Sequence, residues 1–287
     1  MIKDSFFKII VKLISIISFF ILFFVIIFII KEALPLFQNL TIKEFIMGDR
    51  WRPISAKPGM GIFNIIVGTI YVGIVGVVIA LPFGIGVSIF LSCITSLKIR
   101  KFFKSAIDLL AGIPSVIYGF MGLIIVVKIF ENFGRSSGES VLAGGIVLAI
   151  MLLPFMVSVL EETMTKLINK YEKESISLGV SKQYLVSELV LPLSIKSLVV
   201  ALVLSFARAL GETMAVMMVI GNAPIFPKLL GKTQTISSLI ALEMGMVEVG
   251  SLHYSALFAS AVVLMLILII INIIIDYFRY KFIGDTL

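Results

Sequence analysis

The sequence predicts an all-α integral membrane protein with six transmembrane helices. Composition, the spacing of charge-free runs and the placement of basic residues lead there. Hydrophobic residues make up 60% of the 287 and charged residues 14%, with a mean hydropathy of +1.15. A soluble domain carries roughly 45–50% and about 25%. An ordinary soluble enzyme, a disordered chain and a disulfide scaffold are therefore excluded. One cysteine, Cys93, permits neither an internal disulfide nor a multi-cysteine metal site, and one histidine, His253, permits no histidine cluster. The net charge of +7 reads, in a chain this apolar, as loop cations placed by membrane insertion rather than as a nucleic-acid footprint.

A helix needs about 20 apolar residues to cross about 30 Å of hydrocarbon. The first run, 13–30, is an uncleaved anchor: no small-residue cleavage site follows it, and Lys31-Glu32 come directly after. The second, 58–97, is long enough for one helix or a tight pair broken near Pro82-Phe83-Gly84. As one span it leaves 14 basic residues inside and 9 outside; split, it leaves 7 and 16. The positive-inside rule selects one span. The third to sixth runs are 109–127, 140–160, 197–227 (interrupted by Arg208 and Glu212) and 254–275. Both termini then lie inside. Pro82, Pro114 and Pro154 are expected to interrupt or kink their helices, and the glycines of the second and third spans to allow close packing.

Three connecting segments are long. Loop 31–61, expected outside, holds Trp51, Pro53, Pro58 and Gly59. Segment 221–252, also outside, is apolar enough at Ile236, Leu239, Ile240 and Leu242 to pack back on the helices or to dip into the membrane. Segment 164–196, inside, reads as a short helix ended by Gly179 and a second short helix capped by Ser181, with one apolar side, running through Leu191-Pro192 into the fifth span. Such a helix docks a partner or lies on the membrane.

Arg208 and Glu212 are expected near the middle of the fifth span, four residues apart on one helix face. A charge there costs about 2.5–3.5 kcal/mol on insertion scales, so it marks a pathway or a partner. A guanidinium matches oxyanions with two parallel hydrogen bonds. Glu212 would hold Arg208 when no anion is present. Thr213 and Ser115 are candidates for further substrate contacts. The triplet Gly231-Lys232-Thr233 lacks the earlier glycine of a phosphate-binding loop, since Phe226 stands there. His253 reads as an interfacial polar residue, and Trp51 and Tyr71 as interface anchors.

The stretch ESISLGVSKQYLVSELVLP (174–192) resembles the coupling motif of ATP-driven importer permeases. Gly179 to Pro192 has the family's spacing. Lys173 stands where the family has its carboxylate, flanked by Glu172 and Glu174, which are the two candidates for that role. The stretches at 66–92, 108–123 and 208–222, with GDRWRP at 48–53, are similar to the permeases of phosphate-specific importers, on the PstC rather than the PstA side. The resemblance covers about 45–280. It implies a type I (MetI-like) permease, with an anchor and external loop over 1–61 and a permease domain over 62–280 whose coupling loop is about 164–196. It implies ATPase coupling through Glu172, Glu174, Gly179, Lys182, Leu191 and Pro192. It implies a PstA-like second permease, two PstB-like ATPases that bind ATP and Mg, and an external PstS-like phosphate-binding protein, in a bacterial inner membrane. This chain would itself be non-catalytic and without a cofactor. The rival readings are a secondary oxyanion transporter, an anion channel and an integral-membrane enzyme. The first would need no docking loop, and the enzyme would need more polar groups at one membrane depth.

Overall fold

The computed structural model describes residues 2–133 and 137–283; Arg135, counted above among the outside cations, lies outside the described residues. The helices, in chain order, are α1 (Ile2–Ala33), α2 (Ile42–Met47), α3 (Phe63–Ile89), α4 (Leu97–Ala111), α5 (Ser115–Met121), α6 (Lys128–Asn132), α7 (Val141–Ser177), α8 (Lys182–Leu185), α9 (Leu191–Gly211), α10 (Met214–Met217), α11 (Ile236–Glu243) and α12 (Leu252–Ile283). A two-stranded hairpin pairs β1 (Trp51–Arg52) with β2 (Gly59–Met60), Trp51 opposite Met60. Wide π-type turns at Phe90–Ile94, Gly122–Val127 and Val186–Val190 extend α3, join α5 to α6 and join α8 to α9. Among the described residues six segments are long and apolar enough to span a membrane: Ile10–Gln38, Phe63–Ile94, Ser115–Asn132, Val141–Ser177, Lys182–Gly211 and Leu252–Tyr277.

Contacts divide the chain into two units. One comprises Met1–Phe63 with Ile240–Met265, and the other Asn64–Leu239 with Leu266–Leu287. The first unit is thus more than the N-terminal 1–61: it also takes in the entry to the last span. Its small core is Leu36, Phe45, Trp51, Met60 and Ile62, all buried. Thr41 and Glu44 form a reciprocal cap on α2, the Glu44 amide donating to Thr41 Oγ1 at 3.2 Å and the Thr41 amide to Glu44 Oε2 at 3.0 Å. Bonds from the Thr41 hydroxyl and amide to the ionised form hold the Glu44 carboxyl below its ordinary value. Gly48 and Gly61 pass backbone against backbone, where a Cβ on either would collide.

In the second unit α7 is the central element. Its buried face from Val141 to Ile168 packs against α3, α5, α9 and α10. Gly76 of α3 admits Leu148, and Gly122 admits Val147 and Val219, so the small residues are used for close helix packing. Pro82 and Pro154 lie inside continuous helices, so neither interrupts its helix. Only Pro114 separates two, standing before α5. The segment expected at 164 as a new short helix is the end of α7, which runs 37 residues without a break, about 55 Å. Residues 233–239 are all buried: the Ile236 amide donates to Thr69 Oγ1 at 2.9 Å, and Ser237 Oγ donates to the Leu210 carbonyl at 3.3 Å. That segment therefore packs back on the helices.

Candidate functional site

The fifth span stops inside the protein. Helix α9 ends at Gly211, and Glu212 leaves it with extended dihedrals (φ −72°, ψ 125°). Just before the break, Phe206 and Leu210 press on Gly73, within 3.1 and 3.2 Å of where its Cβ would stand. Gly73 is ten residues into α3, about 15 Å along it, within the second span. After the break the chain continues as α10 and runs along α5, Ala215 and Met218 against Gly119 and Val219 against Gly122. Helical hydrogen bonding is thus interrupted alongside the second span, which membranes tolerate only where protein or a water-filled path covers the exposed backbone.

Arg208 and Glu212 consequently do not share a helix face, which corrects the four-residue spacing argument. Arg208 lies in the last turn of α9, exposed, where a cation also complements the helix C-terminus. Glu212 turns the other way, and its Oε1 accepts from the Ala215 amide at 3.1 Å. Among the described residues, Arg208 has no carboxylate within 4.0 Å. Its guanidinium remains available to an incoming anion. Thr213 follows directly, its hydroxyl 3.4 Å from the Gly211 carbonyl. Ser115 opens α5 one turn before Gly119, on the face that meets α10. The structure therefore packs α10, which begins just after Thr213, against α5, which Ser115 opens.

The second candidate region is the end of α7. Leu178 ends the helix, Gly179 takes φ +69°, the Val180 amide donates to the Ser175 carbonyl at 2.9 Å and the Gly179 amide to that of Ile176 at 3.1 Å. Both bonds of a Schellman end are made. Ser181 caps α8 by accepting from the Tyr184 amide at 3.2 Å. Lys182 Nζ pairs with Glu172 Oε1 at 3.0 Å. Leu185 and Val190 bury themselves on Met164, Ile168 and Cys93. The π turn at Val186–Val190 precedes Leu191-Pro192, so proline's missing amide falls at the start of α9, where none is needed.

The two candidate carboxylates differ. Glu172 is tied to Lys182, whereas Glu174 is exposed and lines a cavity of about 350 Å³ with Tyr171, Leu178, Tyr184, Leu185 and Glu188. Ile176, Leu178 and Tyr184 expose 70%, 78% and 61% of their surface beside it. An exposed apolar surface like this marks an interaction site.

Two clusters were not anticipated. Glu161, on α7, is only 2% exposed and receives Arg100 and Lys104 (Nζ–Oε2 3.0 Å) from α4, with Thr165 bonded to both Glu161 and Arg100. In sequence it only marked the end of an apolar run. In the first unit, Trp51 Nε1 donates to Glu243 Oε1 and Oε2 at 3.1 and 3.0 Å, and His253 Nε2 lies 2.7 Å from Oε2. Trp51 and His253 are therefore partners in one cluster through Glu243. Lys232, of the glycine-lysine-threonine triplet, pairs with Glu139 at 2.7 Å. Among the described residues no group of three or more His, Cys, Asp or Glu side chains is placed to hold a metal ion.

Six candidate spans, a helix break beside an exposed cation, and a capped turn at the tip of a long helix are the features of a multi-pass transport protein. The family model of binding-protein-dependent transport system inner membrane components matches residues 84–283, and the chain belongs to that family. Membership implies substrate-binding and ATPase partners. Among its relatives, the probable ABC transporter permease protein YqgH of Bacillus subtilis (strain 168) is 35% identical over 236 residues, 82% of this chain and 76% of that one. The probable phosphate transport system permease protein PstC of Methanocaldococcus jannaschii is 32% identical over 296 residues, 96% and 93%. PstC of Xylella fastidiosa (strain 9a5c) is 32% identical over 244 residues, 78% and 74%. Among solved structures, a chain of the MetNI methionine ABC transporter in an inward-facing conformation superposes with a TM-score of 0.60 at 14% identity, over 77% of this chain and 95% of that one. The fold is accordingly that of a MetI-type permease.

Proposed function

We propose that this chain is the PstC-type permease subunit of an ATP-driven importer of inorganic phosphate. It supplies half of the translocation path and is not itself a catalyst. A PstA-like permease supplies the other half, two PstB-like subunits bind and hydrolyse ATP with Mg, and a PstS-like protein delivers phosphate from outside. The chain sits in a bacterial inner membrane with both termini and the α7–α9 turn in the cytoplasm. The observation that carries this reading is Arg208: an exposed cation beside a helix break, at a depth where it cannot face lipid. It must face the second permease or the path between the two.

Thr213 and Ser115 lie where hydroxyls add to the shell around an anion held by Arg208, and Glu212 fixes the break by capping α10. ATPase closure pushes on Tyr184, Leu178 and the Glu174 rim. The Schellman turn, Gly179 and the Glu172–Lys182 pair keep α8 fixed to α7, and Leu191-Pro192 pass the displacement into α9, whose far end carries Arg208. Alternating access then follows as a switch between two packings.

The test is radiolabelled phosphate uptake by proteoliposomes holding the assembled complex, with and without ATP on the ATPase side and with sulfate as competitor. ATP-dependent, sulfate-resistant uptake that Arg208→Ala abolishes, with the complex still assembled, is expected. Uptake without ATP or binding protein, or normal uptake in the variant, would overturn the reading.

A further inference from the structure

Helix α4 has no buried residue. At 100° per residue its side chains sort into two arcs. Ile99, Phe102, Phe103, Ile107, Leu109 and Leu110 cover one, and Lys98, Lys101, Ser105 and Asp108 the other. Arg100 and Lys104 lie on the flank between and reach Glu161 of α7. That grip sets the rotation of the helix; Phe103 meets Phe90 at the end of the second span, and the far edge of the apolar arc stays uncovered, with Phe102 71% and Leu109 73% exposed. Lys98 and Lys101 are exposed and, among the described residues, without an ion-pair partner.

Position and charge say what covers the arc. Only Thr95 and Ser96 connect α4 to the second span, and only Gly112, Ile113 and Pro114 to the third. Two residues reach about 7 Å at most. Both ends of α4 are therefore held at the boundary where the spans leave the hydrocarbon. Four of its residues are cations and one is an acid. Phenylalanine and leucine on one face and lysine and arginine on the other is the pattern of a helix lying in a membrane surface, and the cation excess selects anionic headgroups.

We propose that α4 lies in the cytoplasmic headgroup layer, with Phe102 and Leu109 among the acyl chains and Lys98 and Lys101 on the phosphates of anionic lipids. The Arg100–Glu161–Lys104 cluster then fixes a lipid-bound helix to α7, the helix that carries the docking turn. The choice of leaflet rests on the orientation proposed above; the rest does not.

The test uses the assembled transporter in inside-out vesicles, carrying Phe102→Cys, Leu109→Cys or Lys101→Cys and read against the unsubstituted protein, whose one cysteine is buried. Phe102→Cys and Leu109→Cys should react with a lipid-soluble maleimide and resist a membrane-impermeant one, while Lys101→Cys reacts with the impermeant reagent. Reaction of all three with the impermeant reagent overturns the proposal, as does crosslinking of Phe102→Cys to the second permease subunit, which would make the arc a protein interface. Labelling of Lys101→Cys only in right-side-out vesicles overturns the orientation and not the lipid contact. In mixed phosphatidylcholine and phosphatidylglycerol, the binding constant for phosphatidylglycerol at α4 should fall about fivefold for each of Lys98→Gln and Lys101→Gln, read as less phosphatidylglycerol retained by the purified complex. Unchanged retention overturns the headgroup assignment. None of these readouts depends on phosphate being the substrate.

Discussion

Helices α7 and α9 each end beside a glycine, and they end in opposite ways. Helix α7 stops at a turn in which Gly179 takes φ +69°, the last carbonyls receive amides from within the turn, and the following serine caps the next helix. Helix α9 stops before Glu212 with extended dihedrals, an exposed arginine in its last turn and a short helix resuming beyond it. The first end is closed, and under the proposed coupling it serves as a stiff joint. The second is open and leaves charge for something else to satisfy. A transporter needs both, and each asks something different of its glycine and its charged neighbours.

The largest effect belongs to the open end. A hydrogen bond to a charged group contributes about 1.5–3 kcal/mol, so Arg208→Ala should lower phosphate uptake by about 100-fold while ATPase stimulated by the docked binding protein persists. Arg208→Lys should recover part of it, because one ammonium replaces a two-pronged donor. Loss of assembly in Arg208→Ala would instead make the arginine a structural partner of the second subunit. Next is Glu161→Ala, which removes a buried acceptor from two cations and one hydroxyl. Arg100 and Lys104 are 20% and 48% exposed and regain water, so the cost should be about 1–3 kcal/mol, seen as a lower unfolding midpoint of the purified complex. An unchanged midpoint would show that the cluster does not hold α4.

At the closed end, a Cβ on Gly179 meets nothing within 4 Å, so Gly179→Ala carries only the strain of a left-handed backbone, about 1–2 kcal/mol. Uptake and stimulated ATPase should fall together, severalfold, since the joint serves both. Glu172→Gln and Glu174→Gln divide the two carboxylates. The Glu172–Lys182 pair is half exposed and contributes about 0.2–1 kcal/mol, so Glu172→Gln should act weakly. Glu174→Gln, at the cavity rim, should lower the affinity for the ATPase subunits, measured by co-purification. The reverse order would assign the coupling carboxylate to Glu172.

The closed end was legible in sequence because its determinants are local: glycine for φ > 0, serine as cap, proline at a helix start. The open end was legible in part. Charge inside an apolar run marked Arg208, but periodicity cannot announce that a helix stops, and a four-residue spacing implies a shared face only if the helix continues. Glu161 was invisible for another reason. Its partners, Arg100 and Lys104, are about 60 positions away, and in sequence a carboxylate at the edge of a span looks like any other boundary residue. The Trp51–Glu243–His253 cluster is longer-range still. The six spans were recoverable because a bilayer imposes length and composition on each separately; the contacts among them were not, because small-residue packing leaves no periodic trace of its partner.

The smallest expected effect tests whether the open end is open by design of its dihedrals or by its surroundings. Gly211 has open space where a Cβ would go and, unlike Gly179, no positive φ. Alanine is favoured over glycine in a helix by about 1 kcal/mol, so Gly211→Ala should leave assembly intact and slightly favour helix at the break. If Glu212, by capping α10, and the packing of Ala215 on Gly119 hold the break open, uptake should change by less than about threefold, a difference below 1 kcal/mol. A loss as large as that of Gly179→Ala would mean that the break must flex during the cycle, and that the glycine, rather than the glutamate beyond it, is what permits α9 to end there.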